Sequence, residues 1–223
     1  MDTIIGGYMQ DKFKLYNDDC FKVFEELIAN NVEVDCVLTD PPYGINFISG
    51  YRKEKYNKIK NDDSLAFLNN LFFKCNKILK ENSHIYCFCS WHNIDKFKIE
   101  FEKYFTLKNI LIWEKNNTGM GDLKGSYAPK YEMVLFGHKG RRENEGFRHP
   151  DVIKAKRTDN KLHPTQKPVD LLEILIKNST KEKKHLHLTT YLNILQSIGT
   201  LIILINKNIP SHQETFLGIL HMS

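Results

Sequence analysis

Val34-Asp35-Cys36-Val37-Leu38-Thr39-Asp40-Pro41-Pro42-Tyr43-Gly44 is the stretch on which the reading of this chain turns. Val34 and Cys36 to Thr39 suit a buried strand, and Asp40-Pro41-Pro42 stops it abruptly. Proline lacks a ladder donor and fixes φ, and Pro42 holds Pro41 extended. The turn therefore sits with little freedom at a strand end, where open α/β sheets place their chemistry. An ionised Asp40 only accepts hydrogen bonds, the Pro41 carbonyl is a further acceptor, and Tyr43 offers a flat face. Acceptors beside an aromatic plate suit a planar group carrying an NH2, such as the exocyclic amine of adenine. A proline turn with a surface tyrosine is the plainer alternative for the tetrapeptide alone.

Around this stretch, strands alternate with helices. Phe13 to Tyr16 suits a short strand, and Asn17-Asp18-Asp19 can cap a helix from Cys20 to about Ala29, with Phe21, Phe24, Leu27 and Ile28 on its apolar face. Ser64 opens a helix to about Lys80. Ser83–Ser90, Leu107–Trp113 and Tyr131–Gly137 are strand candidates, with a helix from Trp91-His92-Asn93 to about Tyr104. Pro168 suits the first turn of a helix whose apolar stripe is Leu171, Leu172, Leu175 and Ile176. Such alternation indicates a doubly wound or mixed α/β sheet.

Two polar segments flank the presumed site. Residues 46–63 interleave Arg52, Lys53 and Lys55 with Tyr51 and Tyr56, which suits either a loop closing on nucleic acid or a solvated loop. Residues 138–162 carry Arg141, Arg142 and Arg157, a second candidate for a DNA-facing surface. The net charge of +5 permits a polyanionic partner without demanding one. At 223 residues the chain holds one domain, or one with a small insertion. Five cysteines without zinc-type spacing point to reduced thiols in a cytosolic setting and to no metal site. Cys87 and Cys89 are expected as small buried side chains on opposite sides of their strand. The N-terminus shows no signal-peptide pattern.

Asp40-Pro41-Pro42-Tyr43 together with His163-Pro164-Thr165-Gln166-Lys167-Pro168 before a helix is a specific combination. From about Phe13 to Thr180 the chain resembles the β-class, S-adenosylmethionine-dependent DNA amino-methyltransferases, particularly the adenine-N6 enzymes. These include short forms from prophages and restriction–modification systems. The resemblance implies a Rossmann-like doubly wound mixed sheet with permuted motif order, in which the catalytic turn precedes the cofactor strand. It implies double-stranded DNA as partner, base flipping, and a homodimer within expectation. Asp40, Pro41, Pro42 and Tyr43 would form the catalytic turn. Asp19 and Cys20 would lie at the cofactor's adenine, and His163, Thr165, Lys167 and Pro168 along its methionine end. A cytosine-N4 enzyme uses the same acceptor geometry, although serine usually replaces Asp40 there.

The match fails after residue 180. The family expects a strand running into a glycine-rich Asp-Pro-Phe-x-Gly-Ser-Gly-Thr type loop, followed by an acidic residue for the ribose. Residues 181–223 contain neither. Of the chain's 27 acidic residues only Glu182 and Glu214 fall there, and its glycines are Gly199 and Gly218 alone. We therefore divide the chain into a catalytic domain, 1–180, and an atypical tail, 181–223. A frameshift near codon 181 is the preferred account of the tail. A divergent strand pair including Leu201–Ile205 is the second, and a membrane segment over 186–205 a third, made costly by His187, Asn193 and Gln196. The expectation is a sheet incomplete at the C-terminus, with weak cofactor binding or a cofactor-deficient DNA-binding remnant.

Overall fold

The computed structural model describes residues 13–45, 64–158 and 166–180, together with the backbone of 201–206 and 215–221. Strand β1 (Phe13–Asp19) leads into helix α1 (Cys20–Ala29), and β2 (Val34–Asp40) follows. Asp19 caps α1, its Oδ1 accepting from the N–H groups of Phe21 at 2.9 Å and Lys22 at 3.2 Å. Helix α2 (Leu68–Ile78), strand β3 (Leu79–Cys89), a 3-10 turn (Trp91–Asn93) and α3 (Ile94–Glu102) continue the alternation. Then come β4 (Thr106–Glu114), β5 (Tyr131–Lys139), a short β6 (Val152–Lys154) and α4 (Val169–Ser179). The tail contributes β7 (Leu201–Asn206) and β8 (Thr215–His221). The short β6 was not anticipated; three residues are too few for a periodic pattern to show.

All eight strands form one sheet, ordered β1-β8-β7-β2-β3-β5-β4-β6. Strands β5 and β7 run against the other six. Helices α1, α2 and α3 cover one face, where Phe24, Leu27, Phe72, Cys75, Phe97 and Phe101 are buried. Helix α4 covers the other, its Leu171, Leu172, Leu175 and Ile176 packing on Leu38, Tyr86, Phe88 and Trp113. This is the doubly wound mixed sheet expected from the sequence. Alternation along β3 corrects one detail: Cys87 and Cys89 are two residues apart, so both point to the α1–α3 face, alongside Ile85.

The expectation of an incomplete sheet needs amending. Tail strands occupy the place between β1 and β2, so Leu201–Ile205 belongs to a strand rather than a membrane-spanning helix. Among the described residues no helix is long and apolar enough to cross a membrane. The direction of β7 decides where its end lies. Strand β7 is antiparallel to β2, with Leu201 opposite Asp40 and Ile205 opposite Cys36. The loop after β7 therefore leaves at the sheet edge remote from Asp40.

At that remote edge His84 and His138 are buried, their rings 4.7 Å apart between centroids. His84 Nδ1 lies 2.8 Å from the Ser179 hydroxyl. Burial first, then the neighbouring His138, pushes His84 down to about 4. Burial, then Lys108, does the same for His138. The unfolded chain, with ordinary histidines near 6.5, thus takes up protons first as the pH falls. The stability these two rings contribute is complete above about pH 6.5 and is lost toward pH 4, on the order of a few kcal/mol for the pair. Urea midpoints measured between these limits should fall steeply in the parent, and less in a His84→Phe variant.

Candidate active site

The C-terminal ends of β2, β3 and β4 and the start of β5 share one sheet edge. Period-two alternation decides which side chains meet there. Asp40 continues the row of Cys36 and Leu38, Glu132 that of Val134 and Phe136, and Lys115 that of Trp113; all belong to the α4 face. Lys167, just before α4, completes the group from above.

Asp40 is 8% exposed and Lys167 3%, and Lys167 Nζ lies 2.8 Å from Asp40 Oδ2. The same ammonium is 3.2 Å from Glu132 Oε2, and Lys115 Nζ is 2.7 Å from Glu132 Oε1. The Tyr43 hydroxyl donates to Asp40 Oδ1 at 2.7 Å and stands 3.3 Å from Glu132 Oε2. Lys167 also sits over the rings of Phe88 and Tyr43, at 5.1 and 5.5 Å from their centroids. Two carboxylates and two ammonium groups thus balance in a largely dry pocket. Burial raises Asp40 above the usual carboxylate range, and Lys167, at 2.8 Å, pulls against that rise. Burial also opposes ionisation of Glu132, but Lys167 and Lys115 outweigh it and hold this carboxyl at about 2. Burial would neutralise Lys167, yet Asp40 and Glu132 hold its ammonium above the ordinary lysine value.

The turn itself is clamped. Pro41 and Pro42 are buried, and Asn93 Nδ2 donates to the carbonyls of Tyr43 at 2.9 Å and Gly44 at 3.3 Å. Gly44 has φ +70°, and a Cβ there would meet Leu65 at 2.8 Å, so only glycine fits. Tyr43 is half-buried and meets Phe97 edge-on, with centroids 6.5 Å apart.

The other sequence-derived candidates divide. Lys167, expected beside a cofactor, pairs with Asp40. Pro168 is buried at the N-terminal end of α4. The Asp19 side chain is engaged as a helix cap, and the Cys20 thiol is in the core, where burial raises it to about 12. Arg141 and Arg142 correct an expectation: β5 runs antiparallel, so they emerge at the edge opposite Asp40. There the Arg141 N–H donates to Asn82 Oδ1 at 3.0 Å, and Arg142 pairs with Glu145 at 2.6 Å. Arg157 follows β6, its backbone N–H donating to Asn116 Oδ1 at 2.8 Å. His163, Thr165, Arg52, Lys53 and Lys55 lie outside the described residues, as do His185 and His187. Glu132, Lys115 and Asn93 were missed. The available signal was an acidic residue at an inward register of the strand carrying Val134 and Phe136.

Gln166, adjoining Lys167, has a buried Oε1 with no hydrogen-bond partner among the described residues. An orphaned acceptor of this kind suits an ammonium donor, such as the amino-acid end of S-adenosylmethionine. For the nucleoside end the described part of the tail offers no glycine cradle, since β7 runs away from Asp40 and residues 201–206 contain no glycine. The fit is therefore confined to one end of the cofactor.

A buried carboxylate at a strand end, locked to a Pro-Pro-Tyr turn in a doubly wound sheet, defines the amino-methyltransferase class of site. The chain belongs to the DNA methylase family (N6_N4_Mtase), whose model matches residues 34–186 and so stops where the composition changes. It is 29% identical over 164 residues to the putative methylase YubD of Escherichia coli K12, covering 73% of this chain and 68% of that protein. It is 28% identical over 102 residues to the DNA adenine methyltransferase YhdJ of the same organism, covering 46% of this chain and 33% of that one. Among solved structures, the M1.HpyAVI–SAM complex superimposes with a TM-score of 0.57 at 23% identity, covering 76% of this chain and 78% of that one. At that identity the likeness speaks for the fold.

Proposed function

We propose that this chain descends from, and retains the base-accepting half of, a DNA methyltransferase that moves a methyl group from S-adenosylmethionine to the exocyclic N6 of adenine in double-stranded DNA. The observation that carries the proposal is Asp40 Oδ1, an anionic acceptor in a desolvated pocket whose partner is an exchangeable phenol hydroxyl. An extruded adenine presents the same kind of donor. Its amine would give its hydrogens to Asp40 Oδ1 and the Pro41 carbonyl, which orients the nitrogen lone pair. Tyr43 would stack on the ring and return about 1–3 kcal/mol of the flipping cost. The raised proton affinity of Asp40 suits it to hold the proton released when the nitrogen is alkylated. When bound, the cofactor supplies an electrophilic sulfonium methyl. Gln166 Oε1 suits its ammonium, with His163, Thr165 and Pro168 in the same segment and Asp19 and Cys20 assigned to its adenine. Arg157, with Arg52, Lys53 and Lys55, would meet the DNA backbone. A cytoplasmic setting accords with five buried cysteines that form no disulfide, and a homodimer is proposed from the class alone.

Two other readings have specific support. The reversed β7 and the tail without a glycine loop favour a cofactor-deficient DNA-binding remnant. The shared acceptor geometry admits cytosine-N4, against which Asp40 in place of serine weighs. One experiment separates the three: incubation with methyl-labelled cofactor and unmethylated DNA, followed by analysis of the nucleosides. Label in N6-methyladenine, reduced at least about 100-fold by Asp40→Ala, is the expected outcome. Label in N4-methylcytosine would overturn the adenine assignment. Salt-sensitive DNA binding with no label would establish the remnant.

A further inference from the structure

We infer that Glu132 is a positioning residue of the base pocket: it braces Lys167 on Asp40 Oδ2 and takes over the Tyr43 hydroxyl when a target amine occupies Asp40 Oδ1. The inference rests on the base-capture reading above. Tyr43 has one hydroxyl hydrogen and two carboxylate oxygens in reach, Asp40 Oδ1 at 2.7 Å and Glu132 Oε2 at 3.3 Å. The shorter contact occupies the oxygen that an incoming NH2 needs. Asp40 Oδ2 is already held by Lys167 at 2.8 Å, so an incoming amine meets Oδ1, where it competes with the Tyr43 hydroxyl for the same oxygen. A displaced hydroxyl in this half-buried position would lose its partner unless another acceptor stood beside it.

Glu132 is placed to be that acceptor. Its Oε1 is fixed by Lys115 at 2.7 Å, and Lys115 in turn lies 5.0 Å from the centroid of the Trp113 ring. Its Oε2 faces both Lys167 and the hydroxyl. A small rotation of the phenol then exchanges one acceptor for the other without moving the lysine. Tyr43 can keep its ring available for stacking while its hydroxyl stays satisfied.

The test uses the full chain and labelled single strands of oligo(dA) and oligo(dT), which present bases without a flipping step. Glu132→Leu, which removes the acceptor, should weaken oligo(dA) binding about 10-fold and leave oligo(dT) unchanged. Glu132→Gln retains an acceptor oxygen and should stay within about 3-fold of the parent. In a Tyr43→Phe background the Glu132→Leu effect should shrink to the part due to bracing Lys167, since no hydroxyl needs a new partner. An equal loss in both backgrounds would show a merely structural role and overturn the inference. A parent chain that does not prefer oligo(dA) would instead count against base capture. The hydroxyl exchange is then read without ligand, from the 13Cζ resonance of Tyr43. Asp40→Ala should pass the hydroxyl to Glu132, so this resonance should differ between Asp40→Ala and the Asp40→Ala/Glu132→Leu double variant. Identical resonances would sink the inference.

Discussion

Replacing Lys167 with methionine should destabilise the protein by about 3–5 kcal/mol, the range for removing one partner of a buried ion pair. Lys167 is 3% exposed and touches two carboxylates, at 2.8 and 3.2 Å. Without it, Asp40 keeps only the Tyr43 hydroxyl among the contacts described above, while Glu132 still has Lys115. The uncompensated charge therefore falls mainly on Asp40, which should bind a proton nearer neutral pH in the variant. Urea denaturation at pH 8 and pH 5 checks both points, and the loss should be smaller at the lower pH. Removing both charges, in Asp40→Asn/Lys167→Met, should recover a good part of the deficit, because the cost arises from an orphaned ion rather than a lost attraction. A loss below about 1 kcal/mol would mean that the pair is solvated and the pocket is not dry.

The tail sets the second large effect. The parent chain should bind S-adenosylmethionine weakly, since the sequence that follows β7, residues 207–214, contains no glycine loop. Exchanging residues 181–223 for the C-terminal segment of an active family member should tighten binding at least about 100-fold, equivalent to about 2.7 kcal/mol. A strand running parallel to β2 would bring its loop to the Asp40 edge, where open α/β sheets bind ligands. Isothermal titration of the two proteins measures the difference. Low-micromolar binding by the parent would refute this account of the tail. Sequencing the gene and translating the other frames past codon 178 gives an independent check on the frameshift proposal, which needs a glycine-rich strand loop in a neighbouring frame.

Local chemistry made the first 180 residues legible. Helix α1 begins at Cys20 because Asp19 caps it, and β2 ends at Asp40 because two prolines follow. The stripe Leu171, Leu172, Leu175 and Ile176 announced α4, and the structure buries all four. Such signals act over a few residues, so a single sequence contains them. The Asp40-Pro41-Pro42-Tyr43 turn and the segment before α4 likewise named the class of chemistry.

Long-range pairing was not contained in any such window. Glu132 and Lys115 joined the site only when β5 and β4 brought them beside Asp40, 92 and 75 positions away in the chain. Strand direction also decided the arginines: Arg141 and Arg142 lie at the far end of the sheet because β5 is antiparallel, whereas Arg157 follows the parallel β6 on the end that carries Asp40. Composition marked the tail as foreign but could not say that it would pair with β1 and β2, or in which sense. An apolar run such as Leu201–Ile205 satisfies a ladder in either direction, so its own residues do not choose between them. The sequence by itself thus determined the elements and the reactive turn. Only the tertiary structure decided which charges share the pocket and which way the last strands run, because both follow from contacts between segments far apart in the chain.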